Sequence, residues 1–132
     1  MLLVAVCAGW NFWWSTATAR LARYLDIDDV SSTEKIEAGL LRRHPVGTPI
    51  QDVAVFLEGQ GLRRDGGISS YYFSNDKGAE FPDQKQATAI ACEFAYTTTS
   101  IQFVKESYRV WFVFDEKQRL KSVKVYCNLT GL

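Results

Sequence analysis

One histidine, three cysteines, three prolines and one methionine are spread over 132 residues. A single histidine excludes a histidine-rich metal centre, and Cys7, Cys92 and Cys127 are too dispersed for a zinc pattern. Three cysteines are also too few for a disulfide-built scaffold. Neither sign of charge is in excess: Lys plus Arg and Asp plus Glu are each 15. Net neutrality argues against a general nucleic-acid binder, which carries a basic surplus. No G-x-S-x-G surrounds any serine, and Gly59-Gln60-Gly61 follows a helix instead of joining strand to helix, so it reads as a helix stop and not a phosphate loop. Repeats and low-complexity stretches are missing too. Hydrophobic residues at 47% and charged residues at 23% are ordinary globular usage. The length fits one domain. The expectation is a protein without cofactor or metal and without a catalytic set.

The charge is unevenly placed. Met1–Ala19 has no charged side chain, so all 30 charges fall in the remaining 113 residues. Nineteen helical residues span about 28 Å, close to the ~30 Å hydrocarbon core of a bilayer. Trp10, Trp13 and Trp14 share one helical face near the end of this stretch, where interfacial tryptophans gather, and Arg20 and Arg23 follow in position to reach headgroups. Three readings stay open. Leu2–Ala8 with Ala17-Thr18-Ala19 resembles a signal peptide with a small-residue cleavage site, although no basic residue precedes it. An uncleaved membrane anchor is the second, weakened by Asn11, Ser15, Thr16 and Thr18. A core helix of a soluble protein is the third. Segment 1–25 is therefore set apart from a domain over 30–132, with Leu21, Tyr24 and Leu25 on one side of a continuing helix and Asp26, Asp28 and Asp29 as a solvated linker. That acidic triad lacks the glycine and glutamate of a calcium loop.

Ser32 or Thr33 predicts the cap of a helix running to about Arg43, closed by His44-Pro45. His44 reads as a capping or solvated residue at a helix end. Thr48-Pro49-Ile50-Gln51 matches a capping box, and Ile50, Val53, Ala54 and Leu57 form one apolar stripe, which predicts a helix from Pro49 to about Glu58. From Gly66 the period drops to 2. Ile68–Ser74, Thr88–Thr97, Tyr108–Asp115 and Lys121–Cys127 read as strands, with Asn75–Gln86 a loop and Asp115–Arg119 a hairpin turn. The predicted fold is α+β: two or three helices followed by, and packed on, a four-stranded antiparallel sheet. In a meander Cys92 and Cys127 lie two strands apart, about 9.6 Å, too far for a disulfide, so both are expected as buried free thiols.

Alternation puts Ile90, Cys92, Phe94 and Tyr96 on one face and Glu93 among alanines on the other; Arg109 and Trp111 oppose Tyr108, Val110 and Phe112, and Tyr126 opposes Val125 and Cys127. Glu93, Arg109, Trp111 and Tyr126 are thus the candidate partner-binding face, rich in the residue types that dominate interface hot spots. The competing reading has Trp111 covered by a loop or by the N-terminal helix.

Gly47-Thr48-Pro49 before Val53 and Leu57, an aromatic strand, and the closing hairpin Val110–Val125 carry a resemblance over about Leu40–Val125. The chain resembles the small outer-membrane assembly lipoproteins of the SmpA/OmlA type and the wider β-lactamase-inhibitor-protein-like fold. That resemblance implies helices packed on an antiparallel sheet. The expected function is a non-enzymatic cell-envelope protein, exported or membrane-anchored through residues 1–19, that binds another protein. The alternative is a soluble, cytoplasmic inhibitor or immunity-type binding protein; a small-ligand binder or an enzyme ranks below both.

Overall fold

A computed structural model describes residues 16–64, 69–75, 84–97 and 105–130. Trp10, Trp13, Trp14 and Cys7, and with them the expected leader or anchor, lie outside the described residues. Three helices come first: α1 (Thr16–Leu25), α2 (Thr33–Arg43) and α3 (Ile50–Gly59). Five strands follow: β1 (Arg63–Arg64), β2 (Ser69–Ser74), β3 (Ala89–Thr97), β4 (Lys105–Phe114) and β5 (Leu120–Thr130).

The strands form one sheet in sequence order, β1-β2-β3-β4-β5. β2 to β5 are antiparallel, as the alternation predicted. The four-stranded expectation is corrected by β1, which pairs parallel to β2 and makes the sheet mixed. Two adjacent arginines after a helix stop show no period. What holds them in place is β2 itself, with the Arg64 guanidinium 4.7 Å above the Phe73 ring.

Helix starts follow local chemistry. Ser32 Oγ accepts from the Lys35 N–H at 3.1 Å and caps α2 as predicted. The capping box at Thr48 does not form. Thr48 Oγ1 donates to the Pro45 carbonyl at 2.6 Å, and Pro49 takes the N-cap position without a side-chain bond. The segment is used elsewhere: Gly47 N–H donates to the Leu120 carbonyl at 2.8 Å and Leu120 N–H to the Thr48 carbonyl at 2.7 Å, so this corner lies as a partial strand along the start of β5. Gly47 has φ +99°, a conformation that glycine adopts at no steric cost.

The helices cover one face of the sheet. Ile36, Leu40, Val53, Leu57, Tyr71, Ile90, Phe94, Val110 and Phe112 join a single buried cluster. Leu21 and Leu25 belong to it and are fully buried, with the Tyr24 ring tilted against Phe94 at 5.9 Å. The expected boundary after residue 25 therefore does not divide the core, because α1 packs on β3 as part of the same body. The acidic linker is largely exposed, with Asp26 and Asp28 open to solvent, and it is locally bonded. Asp26 pairs with Arg43 at 2.9 Å, and Asp29 accepts from both the N–H and the hydroxyl of Ser31, which holds its carboxyl below the usual range.

Candidate functional site

The register of β2 to β5 builds the outward face. Ser70, Glu93, Arg109 and Tyr126 stand side by side across four strands, and Tyr72, Ala91, Trp111 and Lys124 form the next row. Side chains two positions apart on a strand share a face, so the rows are contiguous. The four residues proposed from sequence, Glu93, Arg109, Trp111 and Tyr126, are brought together.

Electrostatics order this face. Arg109 Nη2 lies 3.0 Å from Glu93 Oε2, and the Tyr72 hydroxyl donates to the same carboxylate oxygen at 3.3 Å. Burial pushes the Tyr72 phenol up, and the Glu93 charge adds to that while Arg109 opposes it. Tyr126 is 55% exposed, an unusual value for so large a side chain on a sheet, and Trp111 is half-buried. Lys124, directly opposite Trp111, is exposed. A groove of about 840 Å³ lies at this end of the sheet, lined by Glu93, Arg109, Trp111 and Tyr126 of the outward face and also by Thr33 of α2 and the inward-facing Phe94, Tyr108 and Val125. The volume falls within the range of ligand pockets.

Tyr72 is the member that sequence reasoning missed. Ser69–Ser74 holds two tyrosines in succession, and only the register with β3 shows that Tyr71 points in and Tyr72 out. On α1, Arg20 and Arg23 are exposed. Among the described residues no helix is long and apolar enough to cross a membrane, and no three His, Cys, Asp or Glu side chains group as a metal site.

The cysteines divide. Cys92 is a free thiol, fully buried, and burial pushes its pKa up, so it is inert. Cys127 corrects the expectation of two free thiols: it is disulfide-bonded, and its partner lies outside the described residues. The two do not pair with each other, as the meander geometry required.

His44 is a second correction. It closes α2 by donating its backbone N–H to the Leu40 carbonyl at 2.7 Å, yet its ring is buried and not solvated, at 5% exposure. The imidazole meets the rings of Phe56 at 4.7 Å and Phe112 at 5.8 Å.

Compared with known proteins, the chain matches no family model, no curated protein and no solved structure.

Proposed function

We propose that this protein is a non-enzymatic binding protein of the cell envelope that uses the outward face of its sheet to hold another protein. The observation that carries the reading is the row of Glu93, Arg109 and Tyr126 beside Trp111 and Lys124, on the side of the sheet away from the helices. Trp, Tyr and Arg offer large contact area with polar handles, the chemistry of interface anchors. Arg109 and Glu93 neutralise each other, which leaves Lys124 as the cation beside Trp111. The partner surface that complements this face is apolar with a carboxylate at its rim. Export is supported by the disulfide at Cys127, since disulfides persist in oxidising compartments. Helices packed on a sheet whose β2 to β5 are antiparallel are in keeping with the resemblance to the outer-membrane assembly lipoproteins, although β1 makes the sheet mixed.

The test is site-specific crosslinking in cells. A photoreactive residue at Tyr126 is expected to give one discrete protein adduct, lost in Trp111→Ala, while the same residue at exposed Val55 on α3 gives none. Equal adducts from both positions, or none from Tyr126, would remove the binding face. Recovery of the full-length chain only in the soluble cytosol would remove the envelope location and favour the soluble inhibitor reading, which uses the same face.

A further inference from the structure

The α2–α3 corner holds the chain's single histidine in an unusual place. His44 Nε2 is buried and has no hydrogen-bond partner among the described residues. Phe56 of α3 and Phe112 of β4 set their rings against the imidazole. A neutral ring tolerates such a site; a charged ring needs a partner for its second N–H and does not find one there. Charges around the ring make matters worse. Arg43, the adjacent residue on α2, stands with its guanidinium 4.7 Å above the same Phe56 ring and is held there by Asp26 at 2.9 Å. Arg42 on α2 and Asp52 and Glu58 on α3 are exposed to solvent, and the nearest residues to Phe112 on the inward face of β4 are Val110 and Phe114. No carboxylate of the described residues bonds the imidazole. Burial first, and Arg43 second, keep it neutral below its ordinary range.

Next to this plug in the chain lies a seam. Immediately after His44 the corner zips onto the β4–β5 hairpin through four bonds: Gly47 N–H to Leu120 O at 2.8 Å, Leu120 N–H to Thr48 O at 2.7 Å, Ile50 N–H to Gln118 O at 2.9 Å, and Arg119 Nη1 to Gly47 O at 3.1 Å. The seam lies at the hairpin end of β4 and β5, whereas the groove is lined by residues toward their other ends, Ser107, Tyr108, Arg109 and Trp111 on β4 and Val125–Asn128 on β5.

We propose that His44 is an acid-sensitive latch: when the imidazole takes up a proton it leaves its aromatic pocket, and the seam between the α2–α3 corner and the β4–β5 hairpin opens while the central strand ladder stays closed. The proton comes from solvent and is returned on closing. Opening frees an imidazole that titrates in its ordinary range. The opening constant therefore rises about tenfold per pH unit below that range, until the closed form itself takes up the proton.

Amide hydrogen exchange tests this on the intact chain. Protection factors, corrected for intrinsic exchange, are compared at pH 7 and pH 5. Gly47, Ile50 and Leu120 amides are expected to lose about tenfold or more protection, while Cys92 and Val110 in the β3–β4 ladder keep theirs. In His44→Phe, which keeps a ring in the pocket and cannot be charged, the selective loss disappears. Uniform loss across the sheet, or an unchanged selective loss in His44→Phe, overturns the latch. If that variant does not fold, NMR titration of the single imidazole decides. A ring that stays neutral through its ordinary range in the closed protein supports the proposal, and one that charges there with the seam intact overturns it.

Discussion

Trp111 and Phe112 are neighbours in the chain and lie on opposite faces of the same strand. Phe112 is fully buried against His44 and its companions under the helices; Trp111 stands half-buried between Ala91 and Lys124. The two rings have comparable apolar area, but folding uses them differently. Phe112 loses its contact with water when the domain folds, so its identity is constrained by packing. Trp111 keeps part of its surface exposed after folding, so stability accounts for only a fraction of what it can contribute on contact with something else. The inward face holds the molecule together; on the outward face Ser70 and Ala91 are buried too, and exposed area remains at Trp111, Lys124 and Tyr126.

Substitution at these two positions separates the faces most widely. Phe112→Ala is expected to cost about 3–5 kcal/mol, enough to unfold a marginal domain, as measured by urea denaturation. Trp111→Ala is expected to cost about 1 kcal/mol or less in the same assay and to abolish the crosslink from position 126. A large stability loss at Trp111 would collapse the distinction and make this residue part of the core.

The next largest effect lies at the edge of β5, where the faces meet. An edge strand exposes unpaired backbone groups. Here Val125 N–H donates to Glu37 Oε2 of α2 at 2.8 Å, so a helix carboxylate closes the edge. Glu37→Ala is expected to cost about 1.5–3 kcal/mol, the range for a hydrogen bond to a charged group, read as a lower urea midpoint with an unchanged slope. A null effect would mean that water replaces the carboxylate freely.

The inward face was largely legible in the sequence because alternation is a strong signal. Ile90, Cys92 and Phe94 in β3 and Tyr108, Val110, Phe112 and Phe114 in β4 all point where a period of 2 puts them, and all are buried. The four candidate outward residues followed from the same period. Features that depend on contacts distant in sequence were not legible. β1 exists because β2 pairs with it, Thr48 is diverted from capping by the turn at Pro45, and His44 is enclosed by Phe112, which lies far along the chain. Glu37 reads as an ordinary helical charge until β5 arrives beside it.

Acid should weaken the fold in two stages. His44 has its folded-state pKa below the unfolded value of 6.5, so its contribution is full above that value and is lost as pH falls toward the lower, folded one. Asp115 accepts from the Arg119 and Lys117 N–H groups in the hairpin, and Asp29 from Ser31; both are held below 3.8. Their contributions are present above 3.8 and disappear as pH falls through the folded values. Urea midpoints against pH should therefore fall once below about 6.5 and again below about 4. His44→Phe is expected to remove the first stage and Asp115→Asn to shrink the second. A single step near 4 in the wild type would show that the buried imidazole is not felt.

The smallest effect belongs to the outward cluster itself. Arg109 and Glu93 are both about half exposed, and such pairs contribute about 0.2–1 kcal/mol, so Arg109→Ala should scarcely move the urea midpoint. The Tyr72 phenol is the sharper probe. Its pKa stands above 10.0 chiefly through burial, with Glu93 raising it and Arg109 lowering it. Arg109→Ala removes a cation that favours the phenolate, so the Tyr72 pKa should rise further. Glu93→Gln removes an anion that opposes the phenolate, so it should fall toward 10.0. NMR titration of labelled tyrosine ring carbons reads both. Opposite shifts from two substitutions that leave stability nearly unchanged would mark the outward face as an electrostatic unit independent of the core. Equal shifts, or none, would mean that Tyr72 responds to burial alone and that the charges on this face are solvated separately.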